Sequence, residues 1–144
     1  MRDTTETHRP WRILQSVGAV LAGLVAVFVL SLGTDVVLHA TGIYPPWFKP
    51  MSTPLWLLTT AYRIAYGVAG GYITARLAPD RPLGNALALG VVGTVLSIAG
   101  AVGTWNAGPE FGPKWYPFAL VVTAIPCAWV GGRLWVFERQ RREM

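Results

Sequence analysis

Charge is what this chain has least of. Only 13% of its 144 residues are charged, 53% are hydrophobic, and the mean hydropathy is +0.43. A water-soluble domain carries about a quarter charged residues, so the deficit points to lipid as the main solvent. Cysteine is nearly missing as well. Cys127 stands alone, which excludes an intramolecular disulfide and leaves the redox compartment unreadable. Histidine is equally scarce, and His8 and His39 lie too far apart to build a zinc site with that one thiol. Also absent are GxSxG, HExxH, a phosphate-binding glycine loop and CxxC. Ser31 lies two helical turns from His39, too far to pair as nucleophile and base. These absences argue against an enzyme and imply neither a cofactor nor a metal.

What the chain does have is long apolar stretches. A bilayer core of ~30 Å needs about 17 to 25 helical residues, and four stretches meet that length. Ile13 to Thr34 carries no charge and is expected to continue as helix to Ala40. Thr53 to Ala75 is interrupted only by Arg63, Leu83 to Ala107 has no charge, and Trp115 to Gly132 is uncharged but contains Pro126, which predicts a kink. The first stretch exceeds the roughly 7 to 15 residues of a signal-peptide core and lacks a clear cleavage site, so it reads as a retained helix. The expected fold is an all-α integral membrane protein, a bundle of four transmembrane helices in one domain. Its spans are 13–40, 53–75, 83–107 and 115–135, and residues 1–12 and 136–144 form tails.

The basic residues set an orientation. Of 12 Lys and Arg, nine fall on one side: Arg2, Arg9 and Arg12, Arg76 and Arg81, then Arg133, Arg139, Arg141 and Arg142. Lys49 and Lys114 occupy the other side, and Arg63 lies inside the second stretch. The positive-inside rule then puts both termini in the cytoplasm of a multi-pass protein of the plasma membrane, in a bacterium the inner one. The pI near 9.9 is therefore a topology signal and no nucleic-acid footprint; the bilayer is the expected partner. Tyr44, Trp47, Phe48, Trp56, Trp105, Trp115 and Tyr116 would form an outer aromatic belt, and Trp11, Trp135 and Phe137 an inner one.

The two halves echo each other. Val68-Ala-Gly-Gly closes the second stretch and Val130-Gly-Gly-Arg the fourth, while the outer loops share a Pro, aromatic and Lys vocabulary. Two similar helical hairpins, repeated in parallel, would account for this.

Small residues form stripes at helical spacing. Gly67 and Gly71 make a GxxxG with Gly70 beside them; Gly90, Gly93, Ser97, Gly100 and Thr104 line one face of the third stretch, and Gly18, Ala22 and Ala26 one face of the first. Such stripes let backbones approach closely where lipid supplies no hydrophobic drive, so they are expected to pack helices within the bundle or between subunits.

The ionisable residues inside apolar stretches carry the functional argument, because a charge at the bilayer centre costs about 2.5 to 3.5 kcal/mol on insertion scales. Ser31, Asp35 and His39 recur every four residues, so they share a helix face, with the carboxylate placed to accept from the imidazole. Arg63 stands thirteen residues above Arg76, about 20 Å along a helix, which brings it near the level of Asp35. With Tyr62, Trp105, Asn106 and Glu110, these residues are expected to line an outward-facing polar pocket, although Glu110 also fits an ordinary turn between glycine and proline. Two function classes follow. One is a transporter or channel-like binding protein for a small solute or ion, working as a homo-oligomer or through that pocket. The other is a non-catalytic accessory or scaffold subunit of a larger membrane complex, docked through its small-residue faces.

Overall fold

The structure, a computed structural model, describes residues 4–47, 49–108 and 112–144, and the side chains from residue 11 onward within these. The described residues form four helices: α1 (Thr4–Ala40), α2 (Thr53–Leu77), α3 (Pro82–Thr104) and α4 (Trp115–Glu143). The α1–α2 and α3–α4 connections share one end of the bundle, the loop end. The start of α1, the end of α4 and the short α2–α3 turn share the other, the terminal end, where Arg12 pairs with Asp80 at 3.3 Å.

Helix bounds depart from the apolar stretches where local chemistry extends or ends a helix. α4 continues through the basic tail to Glu143, where Arg142 pairs with Glu138 and Arg139 with Glu143 at i,i+4 spacing. Arginines in the last turn also suit the negative end of the helix dipole. Pro126 lies within α4, which runs through it as one element. α3 stops at Thr104, before the expected Ala107, and the chain turns through Trp105 and Asn106 toward Gly108 at φ 121°.

Among the described residues three helices are long and apolar enough to cross a membrane: α1 from Trp11, α3 and α4. α2 does not reach that hydropathy, because Thr59, Thr60, Tyr62, Arg63 and Tyr66 occupy its middle. Those residues do not face outward. α2 packs against all three other helices, most extensively against α4, while α1 packs on α2 and less on α3.

A polar seam joins α1 to α2 along its length. Thr74 Oγ1 donates to the Ala19 carbonyl at 3.1 Å, Thr34 Oγ1 and the Tyr66 hydroxyl meet at 2.6 Å, and Tyr62 and Arg63 both reach Asp35. The face of α1 so engaged follows a four-residue spacing: Ala19, Gly23, Ser31 and Asp35 are buried, with Val27 half-buried between them. Gly18, expected to pack, faces open space.

The terminal half is closed by small residues. A Cβ on Gly71 would strike the Ala128 backbone, and one on Gly131 the Val68 carbonyl, so the two glycine pairs let α2 and α4 approach reciprocally. Gly70 lies against Val27 and the Gly23 carbonyl, Gly67 against the Cys127 Cβ, and Gly90 against the Ile125 backbone. At the same end the Tyr72 hydroxyl donates to Glu138, which also pairs with Arg142. Glu138 lies beyond the apolar stretch 115–135, and the Tyr72 hydroxyl followed by the Arg142 charge holds its carboxyl below the usual carboxylate range.

Candidate functional site

Toward the loop end the helices part around a cavity of about 600 Å³, lined by all four helices and by the α1–α2 loop. That size lies within the roughly 300 to 1,000 Å³ typical of small-molecule sites. α3 makes room for it. Gly93 has only Ala124 in ordinary contact, and Gly100 has nothing near the position of a Cβ. Gly93, Ser97 and Gly100 thus line the cavity and not a helix seam, in contrast to Gly67, Gly70 and Gly71. The same residue type closes one half of the bundle and empties the other.

Asp35 projects from the engaged face of α1 and is held by α2 from two sides. Arg63 Nη2 donates to its Oδ2 at 2.9 Å, and the Tyr62 hydroxyl donates to its Oδ1. The pair is lopsided in exposure, with the Asp35 side chain 12% exposed and that of Arg63 32%. Two consecutive residues of α2 reach one carboxylate because α1 passes directly across them. A buried charge paired and hydrogen-bonded in this way avoids the cost of isolation that lipid would impose.

Arg63 also faces α4, its guanidinium carbon 5.8 Å from the centre of the Tyr116 ring. Tyr116 is only 9% exposed, and its hydroxyl finds no hydrogen-bond partner among the described residues. The same holds for Arg63 Nε. Trp56 closes this corner, its ring 4.8 Å from Tyr116 and pressed against Gly112, which sits at φ 94° where no Cβ fits.

His39 lies above Asp35 on the same face, but its bond differs from the expected one. Its Nδ1 is 2.7 Å from the Asp35 backbone carbonyl, which leaves the carboxylate to Tyr62 and Arg63. The imidazole stacks on Trp47 at 3.6 Å and meets Tyr44 edge-on at 5.3 Å. Tyr44 in turn bonds Thr59 Oγ1 at 2.5 Å, so the α1–α2 loop is pinned over the cavity mouth. Lys49, from the same loop, completes the rim.

The structure therefore gathers Asp35, His39 and Arg63 on one cavity, with Tyr62 behind them. Trp105 and Asn106 do not line it; they line an adjoining cleft of about 350 Å³, which shares Ala101, Thr104 and Pro117 with the cavity and includes Lys114, whose ammonium sits 4.6 Å above the Trp105 ring. Glu110, and Phe48 of the expected outer belt, lie outside the described residues. Tyr44, Thr59 and Tyr116 join the site without having been singled out for it. In the sequence only their aromatic or hydroxyl character near a helix end marks them, and an interfacial belt has the same signature. Among the described residues there is no cluster of His, Cys, Asp and Glu suited to a metal ion.

Chemically, the arrangement offers a neutral ion pair, two unmet donors and a basic rim above an apolar floor. Among the described residues no nucleophile stands beside a base there. Compared with known proteins, the chain matches no family model, no curated protein and no solved structure.

Proposed function

We propose that this chain is a four-span membrane protein with both termini in the cytoplasm, which binds a small solute or ion in an outward-facing pocket as a transporter or channel-like binding protein. The observation that carries the reading is the Asp35–Arg63 pair on the wall of a cavity of about 600 Å³. Ionisable residues inside a membrane are costly and mark ligand or proton paths unless they serve packing alone. Here the pair lines open volume, which packing does not require.

The reading needs α2 as the fourth span, and its partners support that. Twenty-five residues rise about 37 Å, enough to cross. Thr59 and Thr60 bond carbonyls of their own helix at 3.0 and 2.9 Å, and Tyr62, Arg63 and Tyr66 bond α1. Apart from Arg63 Nε, these polar side chains find partners inside the bundle, as a lipid environment demands. The nine-to-two distribution of basic residues supports cytoplasmic termini, which turns the loop end and its cavity outward.

The test is native mass spectrometry of the wild-type protein and Arg63→Ala, released from nanodiscs. A bound small molecule present in the wild type and lost in the variant is the expected result. Recovery with a larger protein and no small ligand, unaffected by the variant, would instead make the charges structural and the chain an accessory subunit.

A further inference from the structure

We infer that the cavity takes a single-chain anionic amphiphile from the bilayer, which enters sideways between α1 and α3. Its oxyanion head lies at Arg63 and Tyr116, and its alkyl chain lies toward Cys127. The inference rests on the pocket reading above and names the ligand class for it.

Polarity is graded along the cavity. Asp35, Lys49, Thr59, Arg63 and Tyr116 line the loop end, whereas Leu24, Val27, Leu89, Leu120 and Cys127 dominate the depth, where Ser31, Ser97 and Thr123 are the polar exceptions and the Thr123 hydroxyl is taken up by the Ala119 carbonyl at 2.6 Å. A small hydrophilic solute would meet apolar wall over most of that volume. An alkyl chain matches it, and the cavity is then filled by one molecule with two ends.

The sign of the head follows from the lining charges. Among the described lining residues Asp35 is the only acid and is already paired with Arg63, while the Lys49 ammonium stands at the rim. The balance is positive. Arg63 Nε and the Tyr116 hydroxyl are buried donors with no acceptor among the described residues. An unmet buried donor is costly, and a carboxylate, phosphate or sulfate oxygen supplies what both lack. A quaternary ammonium head offers no acceptor and adds to the positive charge.

The way in follows from how α1 packs. α1 and α3 come together where Gly23 meets Leu89, in the terminal half. Above that point the wall of α3 is Gly93, Ser97 and Gly100, with little side chain to bridge the gap. Phe28 on α1 and Leu96 on α3 both line the cavity, yet they are 50% and 43% exposed. Two large apolar side chains exposed on either side of a gap form a lipid-facing portal, not an aqueous one. Exposed apolar surface beside a cavity of this kind suits a ligand that arrives from hydrocarbon.

The chain's sole cysteine provides the readout, since Cys127 lines the depth of the cavity. The full chain in zwitterionic nanodiscs is treated with N-ethylmaleimide in the presence of dodecanoate, dodecyltrimethylammonium or acetate, and adducts are weighed in parallel by native mass spectrometry. Dodecanoate at about ten times its Kd should slow alkylation roughly tenfold by occupancy and appear as a one-to-one adduct, with acetate and dodecyltrimethylammonium inert. Gly100→Leu fills the cavity from open space and should abolish the adduct without lowering the melting temperature. Equal protection by acetate would overturn the amphiphile and leave a pocket for a small solute standing. Equal protection by dodecyltrimethylammonium would overturn the anionic head. An adduct that survives Gly100→Leu places the amphiphile outside the cavity, and no adduct with any of the three probes defeats the inference outright.

Discussion

Arg63 Nη2 lies 2.9 Å from Asp35 Oδ2, so the one cation within α2's apolar stretch and the one acid on the engaged face of α1 neutralise each other at a cavity wall. Removing one partner strands the other. Breaking a buried pair costs about 3 to 5 kcal/mol, and with the Arg63 side chain 32% exposed the low end applies, roughly 3 kcal/mol for Arg63→Ala. Lys49→Ala, at an exposed rim position, should stay within about 0.5 kcal/mol. Thermal melts of both variants in one detergent check this, and equal melting temperatures would show that the pair contributes nothing to folding.

Glycine substitutions should divide sharply by level in the bundle. Gly71→Leu drives a side chain into the Ala128 backbone, where neither helix can yield without separating, so a loss of about 3 kcal/mol or failure to fold is expected. Gly100→Leu meets open space and gains up to about 1 kcal/mol in helix propensity. A melt that drops equally for both would mean that α3 packs against something at Gly100 after all.

The loop over the cavity mouth depends on one hydroxyl. Tyr44→Phe removes the 2.5 Å bond to Thr59 but leaves Thr59 its 3.0 Å bond to the Leu55 carbonyl, so no buried donor is orphaned on α2. The expected cost is about 1 kcal/mol, felt mainly as faster amide exchange at residues 41–47. Unchanged exchange would assign the pinning of the loop to the His39 and Trp47 stack alone.

The helices were legible because charge is so rare here that its few positions mark the ends. The four-residue recurrence of Ser31, Asp35 and His39 likewise placed them on one face, where the structure has them. Periodicity did not fix which face of α1 packs. The stripe of Gly18, Ala22 and Ala26 is as small as that of Ala19 and Gly23, and a helix that is apolar all round offers no polar face to set the phase; the seam runs through Ala19 and Gly23. Nor does a stripe of small residues say whether it invites a backbone, as at Gly71, or leaves a void, as at Gly100. Only the path of the facing helix decides. Tyr116 was hidden for a related reason: a tyrosine near a helix end occupies the same level whether it belongs to a belt or to a pocket.

The contact between Tyr72 and Glu138 predicts a pH dependence at the terminal end. The hydrogen bond from Tyr72, with the Arg142 charge, lowers the Glu138 carboxyl in the folded state relative to the unfolded chain. The stabilisation from a depressed acid is fully present above the unfolded pKa and is lost as pH falls through the folded one. The wild type should therefore keep a constant advantage over Tyr72→Phe from neutral pH down to the ordinary glutamate range, and that advantage should shrink at lower pH. Glu138→Gln separates charge from shape, since it retains an acceptor for Tyr72 but cannot titrate. Melts of the three proteins across this range check the assignment: a wild-type advantage over Tyr72→Phe that persists undiminished into acid would mean that Tyr72 stabilises α4 through its ring against Trp135, 5.8 Å away and edge-on, and not through the carboxylate.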